Sequence, residues 1–551
     1  MTARRTLCLV LLAIGSAALV APAGAMAEVR CVPNQGAQCD SSHGTIGGAV
    51  AAAGTSDTIL IGPGTRFASI TTSKRLRFEG AGAKATTIRS LNGPALRLRG
   101  GGTVTSLAAR GGPGAAAIAI DPAALGKLAF NVTGVSAQGG NEANAGDWPG
   151  SGLAVTADVN ERPTVFVDGG TFRAGAGDGF YYAGLSFAGD ATRAELEGVE
   201  AIGLDGNGIR TSADAELEMT DTVASGRVGA ALGDGDYQVR RSRLEGALCG
   251  LCASDQGQQT STVLLENSLV IAIASGAVDE ARALSAIATG PGGNVHVTAR
   301  GATLLSAGDD PQAAVYVEDP TAVGTAKVDL VGSIADVAGP REPGEADLVA
   351  DRDQITASRS SFATRAVSNG GSVTEPGTAG NVGDAMLGPD FSPMPGSPAI
   401  DSGDPALTGL DLIGRPRNQD GNADGVAAPD MGAFEVAPGA GLGNAAPVVS
   451  RFRIARKVLT RKRRRTRFRF RLSEAARVVI RIERLAGKRR GKRRFVSVRT
   501  LRSREKRGAQ SVKFRAPKRL GRYRARLRAT DDQGARSSQK RLRFRVARVP
   551  G

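Results

Sequence analysis

The sequence predicts an all-β chain in which a long solenoid of stacked β-coils is followed by a small antiparallel β-sandwich. Three observations predict it. Short apolar stretches recur 21 to 33 residues apart up to about residue 373, with no long helical pattern between them. Gly is abundant at 75 residues while aromatics make up only 4%, so the core is filled by Val, Leu, Ile and Ala and the chain turns often. Beyond residue 446, apolar residues alternate with Arg as in RFRFRL, RYRARLRA and RLRFRV, the period of strands with one buried face.

In chain order, Arg4 and Arg5 precede an apolar run from Leu7 to Val20, and Ala25-Met26-Ala27 follows as a small-x-small cleavage site. Residues 1–27 therefore read as a secretory signal peptide, with a mature chain starting near Glu28. The run is short for a bilayer span, and no later stretch suits a transmembrane helix. An exported chain with four remaining cysteines favours disulfides, and local pairs Cys31 to Cys39 and Cys249 to Cys252 are expected. A redox or zinc role for Cys249-Gly-Leu-Cys252 would need a helix N-terminus or further soft ligands, which the neighbourhood lacks.

Segment 45–53 (TIGGAVAAA) carries Ile46 and Val50 at helical spacing, and a helix there is placed to plug the first coil. The repeating stretches start at 164, 193, 216, 237, 263, 295, 328 and 355. Each has a strand at its head and Gly, Asp or Asn turns after it. A coil of this kind cannot bury its apolar residues alone; stacking creates a continuous core. A sandwich in this region would give shorter, more even spacing.

The run from Cys31 through TIGGAVAAAGTSDTILIGPGTR to RLRFEGAGAKATTI resembles the opening of secreted right-handed parallel β-helix proteins of the pectin-lyase-like type. SPAIDSGDP, GRPRNQDGNADG and PDMGAFE resemble the choice-of-anchor segment that closes such helices. The resemblance implies a right-handed parallel β-helix over 28–395 and a closing segment over 396–435. VAPGAGLGNAA at 436–446 reads as a linker. LSEAA and GRYRARLRATDDQGARS within 447–551 are similar to immunoglobulin-like or fibronectin-like modules. The resemblance speaks to fold; that fold hosts lyases, hydrolases and adhesins alike.

Enzymes of this group carry their chemistry in short motifs. Polygalacturonase-type hydrolysis wants paired aspartates with Gly-His-Gly and Arg-x-Lys, yet the chain has only His43 and His296, neither in that setting, and the doublet Asp309-Asp310 sits before Pro311 as a turn. A calcium-assisted lyase would need carboxylates and an Arg base brought together by stacking. The overlay puts Asp168, Glu197, Thr220, Arg240 and Glu266 in one outward column. Trp148, Phe180, Tyr181 and Tyr182, with Asp147 and Asp178, form a patch suited either to stacking on a sugar ring or to packing loops on the solenoid flank. Asp420, Asn422 and Asp424 alternate before Gly425, with Asp430 further on. The pattern suits a structural calcium loop of the non-EF-hand kind, since Met431 stands where an EF-hand needs Glu, or an Asx-turn loop without metal.

The formal charge of +17 conceals its distribution. Residues 446–551 hold 40 of the 70 Lys and Arg but 5 of the 53 Asp and Glu, which leaves residues 1–445 at 18 negative. In an antiparallel sandwich the first, third and fifth connections share one end. Those at 460–466, 486–494 and 516–520 carry 13 basic residues and no acid. They include Arg461, Lys462, Arg463, Arg464 and Arg465, then Lys488, Arg489, Arg490, Lys492, Arg493 and Arg494. A pole of this kind suits a dense polyanion. Phe468, Phe470, Phe514 and Phe544 alternate with Arg and belong on the buried face, where they cannot stack on bases. The expected partners are anionic envelope polymers or phospholipid headgroups and polysaccharide, with extracellular nucleic acid behind them. The sequence thus predicts a secreted or cell-surface β-helix protein without catalysis, against a calcium-assisted lyase on uronate glycans.

Overall fold

The computed structural model describes residues 27–548 apart from 34–35, 124–126, 142–149, 159–160, 177–181, 190–191, 213, 256–258, 275–279, 309–310, 339–344, 377–379, 439–446, 448, 461–463, 473–474, 490–491, 507 and 531–535. The signal segment, the doublet at 309–310 and most of the 436–446 segment fall outside the described residues. Two compact units result. The first contains residues up to Ala385 with Ser402–Asn418 and Pro429–Glu435; the second contains Met386–Asp401, Gln419–Ala428 and Val436 onward. Residues 396–435 are divided between the two.

In the first unit, 34 short strands between Val29 and Thr374 pair in parallel. The expected parallel β-helix is what the pairing describes. On successive coils paired residues lie between 17 positions apart (Leu348 and Arg365) and 35 apart (Ala129 and Thr164). Inward positions align into ladders. Val165, Ala194, Leu217, Tyr237, Val263, Val297, Val328 and Ile355 form one of them, fully buried from coil to coil. The expected overlay needs correction at three places. Glu216 pairs with Asp236 rather than Tyr237, Val263 with Val297 rather than Val295, and Val295 with Ala326 rather than Val328. The loops before these strands differ in length, and the inward row, not the loop, sets the register.

A sharp corner recurs where one strand of a coil ends and the next begins. Gly198, Asp221, Arg241, Asn267, Gly301 and Gly332 occupy it with φ between 43° and 60°. Behind it runs a buried hydroxyl ladder. Thr222 N–H donates to Ser242 Oγ and Ser242 N–H to Ser268 Oγ, both at 3.1 Å, while the Ser242 hydroxyl donates to Arg240 O at 2.9 Å. Ser333 and Ser360 continue the pattern. The hydroxyls satisfy backbone groups that the bend withdraws from strand pairing.

Helix α1 (Ile46–Ala52) forms as expected. Thr45 Oγ1 accepts from Gly48 N–H at 3.0 Å as N-cap, and Ile46, Ala49 and Val50 join the solenoid core. Lys74 Nζ donates to the carbonyls of Val50, Ala51 and Ala53 at the other end. Cys31 pairs with Cys39 and Cys249 with Cys252, the expected disulfides.

Residues 402–418 and 429–435 lie on the flank of the solenoid and are held there by Arg417. Its side chain is 1% exposed and meets Glu435, itself fully buried, at 3.4 Å. The guanidinium also donates to Asn267 Oδ1 at 2.7 Å and to the carbonyls of Gly301, Asp430 and Gly432. Burial pulls the Arg417 pKa down, opposed by Glu435, Asp411 and Asp430.

The second unit contains two antiparallel sheets. Its strands are β1 (Val449–Ile454), β2 (Val458–Thr460), β3 (Arg465–Leu472), β4 (Ala476–Arg489), β5 (Lys492–Glu505), β6 (Gly508–Arg515), β7 (Gly521–Thr530) and β8 (Lys540–Ala547). One sheet runs β1-β3-β6 and the other β2-β8-β7-β4-β5, with β2 parallel to β8. Phe468, Phe470, Phe514 and Phe544 are buried with Tyr523 and Ile482, as the alternation requires. Residues 486–494, expected as a loop, are mostly strand. β4 and β5 pair as far as Arg489 and Lys492, whereas β4 pairs β7 only between Arg477 and Arg484. The rest projects as a two-stranded ribbon, because period-two sequence on both sides of a short turn favours continued pairing.

Candidate functional site

Outward positions of one β-helix sheet carry most of its charge. The column Asp168, Glu197, Thr220, Arg240 and Glu266 is aligned by successive pairings, and Arg240 Nε donates to Glu266 Oε2 at 3.1 Å. Asp168 and Glu197 are exposed neighbours on adjacent coils. Four residues before Asp168, a second column runs Thr164, Arg193, Glu216 and Asp236. Each coil advances it by about 4.8 Å.

That second column forms the wall of a groove of about 470 Å³ that also includes Lys127, Arg162 and Asp214. Cations come from the earlier coils and carboxylates from the later ones. Arg193 sits between them, with Nη2 at 3.2 Å from Glu195 Oε1 and 3.4 Å from Glu218 Oε1, and Nη1 at 3.9 Å from Glu216 Oε2. Three carboxylates around one guanidinium fix its orientation. The groove can therefore bind a ligand bearing both signs of charge. Sequence inspection misses it because Arg193 and Asp236 share a wall only through the register. The sole hint was the acidic alternation in RAELE and AELE.

The aromatic patch divides differently. Trp148, Asp147, Asp178, Phe180 and Tyr181 lie outside the described residues. Tyr182 is 6% exposed, and its ring lies so close over Gly150 that a Cβ there would stand 2.6 Å from it. An enclosed ring offers no platform to a sugar, so Tyr182 packs as loop-to-flank core.

In the 420–425 loop, Asp420 Oδ1 and Asn422 Oδ1 both accept from Asp424 N–H, Asp420 Oδ2 accepts from Gly425 N–H, and Asp424 Oδ1 accepts from Val426 N–H. Asp401 accepts from Gly421 and Asn422 N–H. The bonds from Asn422 and Asp424 are Asx-turn bonds, and together with those of Asp420 and Asp401 they turn the side-chain oxygens of the loop toward backbone N–H groups. Asp430 belongs instead to the buried Arg417 and Glu435 group, its N–H donating to Glu435 Oε2 at 3.0 Å. Among the described residues, no three His, Cys, Asp or Glu side chains converge as metal ligands.

In the basic module, strand directions bring the end of β2, the start of β3, the paired ends of β4 and β5 and the 516–520 connection to one end. Arg464 donates to Ala516 O at 3.3 Å, joining two of them. Arg464 and Arg465 are described, whereas Arg461, Lys462, Arg463 and Arg490 lie outside the described residues. Lys488, Arg489, Lys492 and Arg493 are placed in the ribbon by backbone pairing, and Arg494 is exposed. The sequence reading missed that the outer face of the β8-β7-β4 sheet is also arginine-rich. Arg522 pairs with Arg545, Arg524 with Arg543 and Arg526 with Arg541.

The fold and these surfaces define a parallel β-helix protein with a basic β-sandwich module. No known protein family matches the sequence, and no curated protein matches it either. Among solved structures, pectin methylesterase PemA from Erwinia chrysanthemi is similar at 12% identity and a TM-score of 0.20, over 63% of this chain and 80% of that one. A pectin methylesterase in complex with a hexasaccharide is similar at 12% identity and 0.19 over the same shares. Likeness at this level carries no argument about activity; the β-helix rests on the strand pairing itself. Among the described residues, no helix is long and apolar enough to cross a membrane.

Proposed function

We propose that the chain is an exported, cell-envelope-associated β-helix protein that presents its long face to polysaccharide or other envelope polymers without catalysis, and that its C-terminal module holds it on anionic polymers. In this proposal residues 396–435 act as a choice-of-anchor closing segment and 447–551 as an immunoglobulin-like module. The observation that carries the proposal is that the described strand ends flanking the basic stretches 461–465, 488–494 and 516–520 lie at one end of the sandwich. Counterion release at such a pole supplies affinity that falls steeply with salt. Neutralising 461–465 and 488–494 should abolish retention of the protein on heparin or envelope fractions at moderate ionic strength; unchanged retention overturns the proposal.

The groove around Arg193 favours a second reading, a calcium-assisted lyase acting on uronate-containing glycans, because it gathers arginine and carboxylates in one place. Uronate polymers with calcium would then develop the absorbance of unsaturated uronides, and Arg193→Ala would remove it. No absorbance from any uronate polymer eliminates this reading.

A further inference from the structure

A cavity in the sandwich combines two chemistries that polyanion retention does not explain. It has a volume of about 380 Å³, within the roughly 300–1,000 Å³ of small-molecule sites. It lies at the basic end, since β7 begins directly after the 516–520 connection. Exposed Arg522, Arg543 and Arg545 form its cationic wall, and Leu485, Phe495 and Val458 form an apolar one. No carboxylate lines it among the described residues.

Phe495 is held in place from beneath. Glu483 is 4% exposed and makes ion pairs with both Arg524 and Arg526. Burial alone would raise its carboxyl pKa, but the hydrogen bonds and charges of the two arginines outweigh that and hold it below the ordinary glutamate range. Arg524, fixed by this carboxylate, lies with its guanidinium carbon 3.8 Å from the centroid of the Phe495 ring. The contact orients the ring by cation–π attraction while the ring lines the cavity.

Occupants differ in how well they meet these walls. A bare anion would satisfy the arginines and leave Leu485, Phe495 and Val458 in water. An apolar ligand would cover those three and leave the cations unneutralised. A pyranose bearing a carboxylate or sulfate meets both walls, its C–H face on Phe495 and its anion on the guanidinium N–H groups. We propose that this cavity binds an acidic sugar residue within a glycan chain, so that the module recognises an anionic polysaccharide rather than negative charge alone. This rests on the reading of the module as a polyanion holder and names its ligand class.

Calorimetry on the full mature chain tests it, with a hyaluronan tetrasaccharide as the acidic probe and chitotetraose as its neutral counterpart. The acidic probe should bind and the neutral one should not. Arg522→Ser with Arg543→Ser should weaken binding about tenfold or more, the scale of losing charge-assisted hydrogen bonds. Phe495→Ala should weaken it severalfold while leaving inorganic phosphate binding unchanged, and a melting curve like the parent's excludes misfolding as the cause. Neutralising 488–494 should spare tetrasaccharide affinity while lowering heparin retention. The proposal is overturned by the absence of heat with the acidic probe, by undiminished affinity in the double arginine variant, by displacement with equimolar inorganic phosphate, or by anionic phosphatidylglycerol vesicles outcompeting the glycan. Failure of the general polyanion reading shows separately, as unchanged heparin retention after neutralising 461–465 and 488–494.

Discussion

Replacing Arg417 by Ala removes one partner of an ion pair whose side chains are 1% and 0% exposed. It leaves Glu435 buried without Arg417, and it strips donors from Asn267 Oδ1 and from the carbonyls of Gly301 and Gly432. Breaking a buried pair in this way costs about 3–5 kcal/mol, and each 1.4 kcal/mol is tenfold in an equilibrium constant. Residues 429–435 should therefore open from the solenoid about a hundredfold to several thousandfold more often. Global melting is a poor readout in a repeat protein, where cooperativity is local. Amide hydrogen exchange reads the opening directly. Gly432 N–H is bonded to Gly332 O and Ala433 N–H to Thr303 Oγ1, both at 2.8 Å, and both should lose protection by that factor. Core amides such as Ile355 should not change. Arg417→Met with Glu435→Leu should recover only part of the loss, because it removes the buried carboxylate but leaves the carbonyls of Gly301 and Gly432 without Arg417 and Asp430 N–H without Glu435 Oε2. Unchanged exchange at Gly432 and Ala433 in Arg417→Ala would refute the assignment of Arg417 as the residue that holds this segment.

Ser242→Ala orphans the buried Thr222 N–H and should cost about 1–3 kcal/mol, seen as faster exchange at Thr222; parent-like exchange there removes the ladder's role. Because the folded-state pKa of Glu483 is depressed, its stabilisation is complete above the ordinary glutamate pKa of about 4.3 and disappears as pH falls through the folded value. Glu483→Gln should therefore lower sandwich stability at neutral pH and flatten the acid limb of its pH profile, and an unaltered limb contradicts the ion-pair account. In the 420–425 loop, both oxygens of Asp420 and the Oδ1 of Asn422 already accept from backbone N–H groups. Asp420→Ala should thus lower the melting temperature equally with and without calcium. Calcium-dependent stabilisation that vanishes in Asp420→Ala would establish a metal loop instead.

The class of fold was legible because it depends on local pattern. DTILIGPG, RLRFEG and the later stretches each present an apolar row that one coil cannot cover, and covering it by stacking leaves few alternatives. The capping helix was legible for the same reason: Ile46 and Val50 stand one helical turn apart and form an apolar face, whereas the Thr45 N-cap came from the structure. The alternation RFRFRL likewise placed Phe468 and Phe470 inside. Register was only partly legible. The column from Asp168 to Glu266 was read correctly, but the step to Val297 was not, because turns absorb length differences that sequence spacing does not reveal.

Sequence alone thus determined the repeating coils, the disulfide pairs and the separation of an acidic solenoid from a basic module, since each follows from neighbours along the chain or from a sum of charges. Tertiary structure alone decided which charges meet. Arg417 finds Asn267 across 150 residues, Arg193 gathers carboxylates from its own coil and the next, and Phe495 lies under Arg524 from a strand that is not its direct neighbour. Such contacts depend on which residues stacking and sheet order bring within a few ångströms, where hydrogen bonds form and Coulomb attraction is strongest.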